Sequence, residues 1–539
     1  MPWVSAIVLL PLLGALSLLF VPAGPEGRLQ ARIQALIAAG GTAVLVAILV
    51  GLFDRDSGQL QFIDHHGWAE QIGLSWDVGV DGISLWLLVL TAAIFLLGVA
   101  AACWRLPDRA RGFLALLLLA ETGLLGLFAA GNLVLFYVFW EAMLVPFYFL
   151  IAMWGGEGRR RATNLFVIYT MIGSLLMLVA ILSTAFVARD ITGQFTFEIR
   201  DLAGVAFTDT QSTWLFLGFA LAFAIKLPLW PFHAWLPLAY RAAPILVTGL
   251  LAAVMSKAGV YGFLRIGMPT FPVGADRLAV PLGILAVIGI VYGSLIAWRA
   301  PTMRMLVAYS SLAHLGFIAL AIVAIDVQAS QGAVLQMVNH GIVVAAAFVI
   351  VGVINRARPD DRIDGIGGLA AGTPRLAGVF LIVAMAALAI PGSNSFAGEF
   401  LILTGVFRQH VWLAALACIG IAYAAVYMLR LYQSSMNGPL KGTVRPAEAE
   451  LRARDLMVLL PLVAAMLFIA LWPQGIVGAT TASVERALGA AQIAADRPED
   501  QIQYRPPANP PAEALPLPGD EQPAETADDG TTAPEEAAP

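Results

Sequence analysis

Residues 223–261 read FAIKLPLWPFHAWLPLAYRAAPILVTGLLAAVMSKAGVY and carry the features that decide the fold. They contain Lys226 and Lys257, each within an apolar run long enough to cross a bilayer, where a cation costs roughly 2.5 to 3.5 kcal/mol on insertion scales. The prolines that follow Lys226 remove backbone donors, so we expect two half-helices with free carbonyls between them. Broken helices beside buried charges are typical of membrane transport.

Composition defines the class of protein. The chain has 539 residues, of which 59% are hydrophobic and only 12% are charged, and its mean hydropathy is +0.81. These values predict a polytopic membrane protein and exclude an ordinary soluble domain. Cys103 and Cys418 have no CxxC or Cys/His spacing, so we expect neither a structural metal nor an iron–sulfur cluster.

Apolar runs near the 20-residue bilayer requirement predict an all-α protein with about 14 transmembrane helices. Residues 1–20 lack a basic n-region and a small-residue cleavage site, so we interpret them as a first spanning helix and not as a removed signal peptide. The run 372–407 is too long for one span and is interrupted by IPGSN at 390–394, which predicts a second broken helix.

The predicted organisation has five parts. They are helices 1–3 (1–112), a first five-helix repeat (113–266, helices 4–8), a second five-helix repeat (279–435, helices 9–13), a final helix (456–476), and an acidic, Pro/Ala-rich tail (486–539). An odd number of helices in each repeat would make the two repeats inverted. The tail is predicted to be disordered because it has too little apolar surface to offset the entropy of ordering.

The placement of basic residues predicts orientation. Roughly two thirds of the Lys and Arg residues lie in one alternate set of loops, including the cluster Arg159, Arg160 and Arg161, so this set should be cytoplasmic. An even number of helices then places both termini on the outer side of a cell (inner, cytoplasmic) membrane.

Seven ionisable residues lie well inside different predicted helices: Glu121, Glu141, Lys226, Lys257, His314, His340 and Glu399. Their spread through the sequence does not fit one catalytic triad, and we interpret them as a lateral chain of protonatable groups. A nearby carboxylate helps a buried lysine to keep its proton. Separation of Glu141 from Lys226 would therefore favour release of that proton.

The same residues have structural alternatives. The carboxylates and lysines could form static ion pairs, and the two histidines could simply hydrogen-bond across helices. Glu121 is either a structural carboxylate or a supporting partner of the chain. For His233, within WPFHAWLP, the structural alternative is that it merely satisfies backbone groups freed by the break.

Several motifs resemble one known family and occur in its order: DVGVDGISLWL (77–87), FYVFWEAMLVPFYFLIAMWGG (136–156), FAIKLPLWPFHAWLP (223–237), SKAGVYGFLR (256–265), AYSSLAHLGF (308–317), 336–352 and 367–407. Up to about residue 480 the chain resembles the antiporter-like subunits of bacterial proton-pumping NADH-quinone oxidoreductase, respiratory complex I. Within these it resembles the M type, the counterpart of mitochondrial NADH dehydrogenase subunit 4.

This resemblance implies fourteen transmembrane helices in two inverted five-helix repeats, with helices 7 and 12 discontinuous. It places proton transfer on Glu141, Lys226, Lys257, His314, His340 and Glu399, with Glu121 and His233 as candidate support. Sister subunits tend to carry lysine at the position of Glu399, which favours the M type. Leu238 and Tyr240 replace an acidic residue and a histidine that the family usually carries, and Asn132 stands where an aspartate is frequent.

The resemblance also implies partners. No cofactor or metal is expected in this chain, whereas NADH, FMN, iron–sulfur clusters and quinone are expected in partner subunits, whose redox energy drives translocation. The expected partners are other membrane subunits, especially neighbouring antiporter-like subunits, together with lipid and protons but no nucleic acid. Two alternatives remain: a subunit of a multi-subunit cation/proton antiporter or of a hydrogenase- or ferredoxin-linked relative, and a membrane scaffold that does not pump.

Overall fold

Long helices form because nearly every apolar run continues for at least four turns. A computed structural model describes residues 2–22, 24–69, 72–358, 360–441 and 445–495. Its helices and strands are α1 (Trp3–Ser17), α2 (Pro25–Leu52), β1 (Gln61–Ala69), β2 (Leu74–Val80), α3 (Gly82–Trp104), α4 (Ala110–Ala129), α5 (Leu133–Ala142), α6 (Leu144–Trp154), α7 (Arg159–Thr192), α8 (Ile199–Leu202), α9 (Asp209–Lys226), α10 (Trp235–Ala242), α11 (Ile245–Ala253), α12 (Ala258–Gly262), α13 (Met268–Thr270), α14 (Pro272–Arg299), α15 (Met303–Val323), α16 (Val327–Ile354), α17 (Pro374–Ala387), α18 (Asn394–Gln409), α19 (Val411–Met436), α20 (Pro446–Ala449), α21 (Ala453–Leu471) and α22 (Gln474–Ala495).

The predicted helical membrane class is confirmed. Twelve helical segments of the described residues are long and apolar enough to cross a membrane. Two further predicted spans are each divided into two shorter helices, α9 with α10 and α17 with α18. The count of about fourteen, the inverted repeats and the five-part division stay predictions.

The first break lies where the prolines predict it. α9 ends at Lys226 and α10 begins at Trp235, so the intervening LPLWPFHA is not helical. Trp235 Nε1 donates a hydrogen bond to the carbonyl oxygen of Ile225 at 2.9 Å, which satisfies one acceptor freed at the end of α9. This hydrogen bond therefore joins the start of α10 to the end of α9.

The second break separates α17 from α18. Gly392 has φ +93°, a left-handed conformation that suits glycine, and Ser393 then caps α18 by accepting a hydrogen bond from the Phe396 amide at 3.4 Å. Asn394 donates through Nδ2 to Oδ1 of Asn339 at 3.0 Å, and Asn339 donates to the Asn394 carbonyl oxygen at 2.8 Å. This reciprocal pair fixes the start of α18 against α16.

Two predicted straight spans are also interrupted. α5 ends at Ala142, immediately after Glu141, because Pro146 cannot donate to the carbonyl four residues before it. In the span of α11 and α12, Val254 leaves the helical conformation (φ −122°, ψ −54°), a 3₁₀ turn covers Met255–Lys257, and a π-helical segment covers Phe263–Gly267. Glu141 and Lys257 thus both lie where a membrane-spanning helix is interrupted.

Two features depart from the sequence-based expectations. β1 and β2 form an antiparallel hairpin between α2 and α3, whereas only helices were predicted. α22 continues to Ala495, so the prediction that the disordered tail begins at residue 486 is wrong for its first residues, and residues 496–539 lie outside the described part of the chain. The small and apolar residues of α22 bury one face, which sustains the helix.

Candidate functional site

Lys226 occupies the last turn of α9 and is 1% exposed. Its Nζ lies 4.9 Å from the ring centre of Trp140, the residue before Glu141, and makes no hydrogen bond to any described residue. Glu141 is the charged neighbour that acts electrostatically on Lys226, yet its Oε1 is also buried without a hydrogen-bond partner. Glu141 and Lys226, the two members of the predicted switch pair, are therefore neighbours, but no hydrogen bond joins them.

Lys257 lies at the distorted step between α11 and α12 and is fully buried. Its Nζ is 2.7 Å from Nδ1 of His340 and donates to the carbonyl oxygen of Ala252 at 2.6 Å and to Ser256 Oγ at 3.2 Å. The irregular backbone at Val254 explains why a carbonyl is free to bind the lysine, since a continuous helix would occupy it.

The two lysine-bearing elements are in direct contact. A Cβ added to Gly259 in α12 would lie 2.4 Å from the Phe223 carbonyl oxygen and 3.0 Å from the Leu227 amide nitrogen, on either side of Lys226. Glycine at this position thus allows the end of α9 to approach the turn that carries Lys257.

His340 and His314 continue the series on α16 and α15. Their ring centres are 5.9 Å apart, and Nε2 of each ring has no hydrogen-bond partner in the described part of the chain. A cavity of about 20 Å³ is lined by both rings, Gln336 and Ser310. This space suffices for about one water molecule, and its polar lining supplies hydrogen-bond partners for that water.

Glu399 ends the series on α18, five residues after its first residue, Asn394. Its Oε1 lies 2.9 Å from His314 Nδ1 and accepts a hydrogen bond from Gln336 Nε2 at 3.1 Å. The carboxylate is only 4% exposed, although it follows the second break by less than two turns. The second broken helix therefore presents an acid to an imidazole.

Two predicted supporting residues are not joined to this series by hydrogen bonds. Glu121 on α4 is fully buried, and both of its oxygens lack a hydrogen-bond partner among the described residues. His233 lies within the first break, where its ring meets Tyr292 edge-on at 5.0 Å. Tyr240, one of the departures from the family pattern, packs its ring against Phe348 at 5.8 Å inside the protein.

Three site residues were missed by the sequence reasoning. Gln336 binds Glu399, and Asn339 with Asn394 fastens the second break. The signal was available, because uncharged polar side chains inside an apolar run need partners from other helices. The partner of each could not be read from the sequence, since the members of each pair are 55 to 63 residues apart.

The arrangement can carry protons but offers no obvious bond-making chemistry. Lysine, imidazole and carboxyl groups each gain and lose protons, and Lys257, His340, His314 and Glu399 are linked by two direct contacts and a water-sized space. No Ser or Cys nucleophile is hydrogen-bonded to either imidazole in the described residues. The chemistry thus favours proton transfer.

Comparisons with known proteins agree with this reading. The family model described as NADH:quinone oxidoreductase/Mrp antiporter, TM, matches residues 130–423. The chain is 37% identical to NADH-quinone oxidoreductase subunit M of Rhodobacter capsulatus over 478 residues, which cover 87% of this chain and 93% of that relative.

Solved structures show the same architecture. A chain of respiratory complex I from Thermus thermophilus with bound NADH matches with a TM-score of 0.81 at 32% identity, covering 91% of this chain and 99% of that one. A chain of the Mrp complex from Dietzia sp. DQ12-45-1b matches with a TM-score of 0.77 at 21% identity, covering 92% and 99% respectively. At that identity the second likeness shows the fold alone.

Proposed function

The chain belongs to the NADH:quinone oxidoreductase/Mrp antiporter family as an antiporter-like membrane subunit of the M type, and we propose that protons cross it along the buried series from Lys226 to Glu399. The observation that carries this route is the pair of short contacts, Lys257 to His340 at 2.7 Å and His314 to Glu399 at 2.9 Å. One water in the cavity lined by the two imidazoles would complete the connection.

Each broken helix would supply an end of the route. Backbone that is not helical can admit water inside a membrane protein when it lines a cavity, and both breaks adjoin a protonatable side chain. Lys226 lies immediately before the first break and Glu399 lies just beyond the second. Protons would enter and leave at these ends and pass through Lys257 and the histidines between them.

The electrostatic coupling of Glu141 to Lys226 would make the route switchable. When the carboxylate is close, the ammonium keeps its proton, and when it withdraws, the buried cation is destabilised. Because the two groups are near each other but not hydrogen-bonded, a small movement of α5 at its interruption would change their separation. Glu141 is thus proposed as a controlling group.

We place the redox chemistry outside this chain. NADH, FMN, iron–sulfur clusters and quinone would be bound by partner subunits, and the energy would arrive through contacts with neighbouring antiporter-like subunits. The support for this division is the site itself, whose contacts join groups that transfer protons.

The proposed location is the inner membrane, with the arginine-rich loops in the cytoplasm and both termini outside. Two hydrogen bonds support a common side for the ends of the described chain: Trp76 Nε1 donates to Ser5 Oγ at 2.8 Å, and the Gly82 amide donates to Ser483 Oγ at 2.8 Å. Ser5 in α1 and Ser483 in α22 therefore both lie on the side of the protein that carries the β1–β2 hairpin.

The test is Lys257→Met in the fully assembled complex, reconstituted into vesicles. We expect NADH-driven proton uptake to fall by about tenfold or more, since a positioned proton-transfer group typically contributes about 100-fold or more. Assembly is checked by subunit content and by NADH oxidation with a soluble electron acceptor. Unchanged proton uptake per NADH in an assembled complex would refute the route.

A further inference from the structure

A cluster of side chains able to bind a metal ion lies outside the proposed proton route, beside the β1–β2 hairpin. His65 in β1, Asp77 in β2 and Glu198 before α8 each offer one ligating atom, and these three atoms all lie within 4.8 Å of one another. Residues of these three types hold transition metals in many proteins. The cluster differs from a patch of surface carboxylates because it combines an imidazole with a fully buried aspartate.

The backbone fixes the three positions in advance. His65 and Asp77 are directly opposed in the register of β1 and β2, so their side chains project from the same face of the hairpin. Glu198 pairs with Asn132 in an isolated β-bridge, and the Ile199 amide donates to the Gly131 carbonyl oxygen at 2.9 Å. Ligands on such ordered backbone lose little freedom when a cation binds.

Two carboxylate oxygens in the cluster lack partners. Oδ2 of Asp77 and Oε2 of Glu198 are both buried and accept no hydrogen bond in the described part of the chain. Arg200 Nη2 lies 3.5 Å from Asp77 Oδ1, so this guanidinium does not satisfy Asp77 Oδ2 or Glu198 Oε2.

One spacing in the cluster, between His65 and Asp77, suits two neighbouring ligands of a small tetrahedral cation. His65 Nδ1 and Asp77 Oδ1 are 3.4 Å apart, which is long for a hydrogen bond. Ligands about 2.0 to 2.1 Å from a tetrahedral Zn²⁺ are about 3.3 to 3.4 Å from each other. The His65 side chain is 49% exposed, which opens an entry from solvent to the buried Asp77.

We propose that His65, Asp77 and Glu198 form a Zn²⁺-type site, with water as the fourth ligand, that joins the β1–β2 hairpin to the segment before α8. The imidazole selects zinc and its neighbours in the transition series over Mg²⁺ and Ca²⁺, which prefer oxygen ligands. The cysteine-based expectation of no metal did not consider this cluster, because its members come from three separate segments. The site would add metal–ligand bonds between parts of the chain that hydrogen bonds and the Arg200–Asp77 ion pair already connect.

The test measures zinc bound to the purified, assembled complex, dialysed against fixed free Zn²⁺ concentrations and quantified by mass spectrometry. We expect the wild type to bind one more zinc ion than His65→Ala, and Glu198→Gln to lose the same ion. Removal of one ligand should weaken this site by at least about 100-fold, because loss of even an outer-shell partner costs about 10- to 100-fold. Metal sites in partner subunits contribute equally to every variant.

His66→Ala is the matched control, since His66 is the adjacent residue on β1 and projects from the opposite face. It should bind zinc as the wild type does. Because the His65 side chain is half exposed, His65→Ala should fold, which normal subunit content would verify. Equal zinc binding by wild type and His65→Ala across the concentration range would overturn the proposal, as would equal loss in His65→Ala and His66→Ala.

Discussion

Lys257 Nζ and His340 Nδ1 lie 2.7 Å apart, and a hydrogen bond of this kind contains a single proton. If the lysine is an ammonium group, it donates to an unprotonated Nδ1, and if it is a neutral amine, it accepts from the Nδ1–H group. Both states satisfy the same geometry. The pair can therefore exchange its donor and acceptor roles by moving one proton, without rearrangement of α11 or α16.

Glu141 is expected to control Lys226. Glu141→Ala should lower proton translocation coupled to NADH oxidation by about tenfold or more, while Glu141→Asp should retain part of it because the carboxylate survives. Translocation and subunit content are measured in membranes that contain the assembled complex. Wild-type pumping by an assembled Glu141→Ala complex would show that Lys226 needs no carboxylate partner.

Glu399→Gln should strongly reduce pumping. Glutamine keeps the shape of the side chain and an oxygen acceptor for Gln336, but it removes the group that titrates opposite His314. Glu399→Lys should be tolerated better than a charge reversal normally is, because a lysine is itself able to carry the proton. Proton uptake into vesicles is the measurement.

Glu121→Gln provides the matched control for this substitution. Glu121 is as deeply buried as Glu399 but has no hydrogen-bond partner in the described residues. We expect Glu121→Gln to pump at close to the wild-type rate. If Glu399→Gln pumps normally as well, Glu399 is a structural carboxylate and the route must leave through another residue.

Gly259 sets the distance between the two lysine-bearing elements. Gly259→Ala would place Cβ 2.4 Å from the Phe223 carbonyl oxygen, so it should destabilise the subunit by about 1 to 3 kcal/mol and reduce pumping. Gly249→Ala is the control, because its nearest neighbour would be Phe348 Cβ at 3.9 Å. Thermal inactivation of the two complexes compares them. Equal stability would mean that this close approach is unimportant.

Topology gives an independent prediction. A periplasm-active reporter fused after residue 505 should be active, whereas the same reporter inserted in the loop between Met436 and Pro446 should not, because that loop lies on the arginine-rich side. Activity of the first fusion only in the cytoplasm would mean that the number of spans is odd.

Much of the membrane architecture could be predicted from the sequence because it depends on local composition. Apolar runs determine the long helices, and prolines determine where both breaks occur, as at Pro228 and Pro391. Local signals were weaker at Val254, which leaves the helix although neither proline nor glycine occupies the position. At this step Lys257 binds the carbonyl oxygen of Ala252 in its own span and contacts His340 on α16, and only the second of these is a tertiary contact.

The titratable members of the candidate site were predictable, whereas Gln336, Asn339, Asn394 and the connections between the members were not. A charge inside an apolar run is costly, so Lys257 and Glu399 were identifiable individually. That Lys257 meets His340, or that Glu399 meets His314, depends on how α11, α15, α16 and α18 pack. The hairpin was missed because HHGW around His65 does not alternate between apolar and polar residues as strands with one buried face do.

The cavity of about 20 Å³ lined by His314 and His340 also bears on which ion the proposed route would carry. A proton hops through one water and two imidazoles without any heavy atom travelling along the path. A sodium ion must move as a whole, surrounded by several oxygen atoms, and a space for about one water molecule does not admit the ion together with its waters. The size of this space would therefore favour protons over sodium on the proposed route, and we expect respiration through this subunit to charge the membrane at the same rate with or without sodium in the medium.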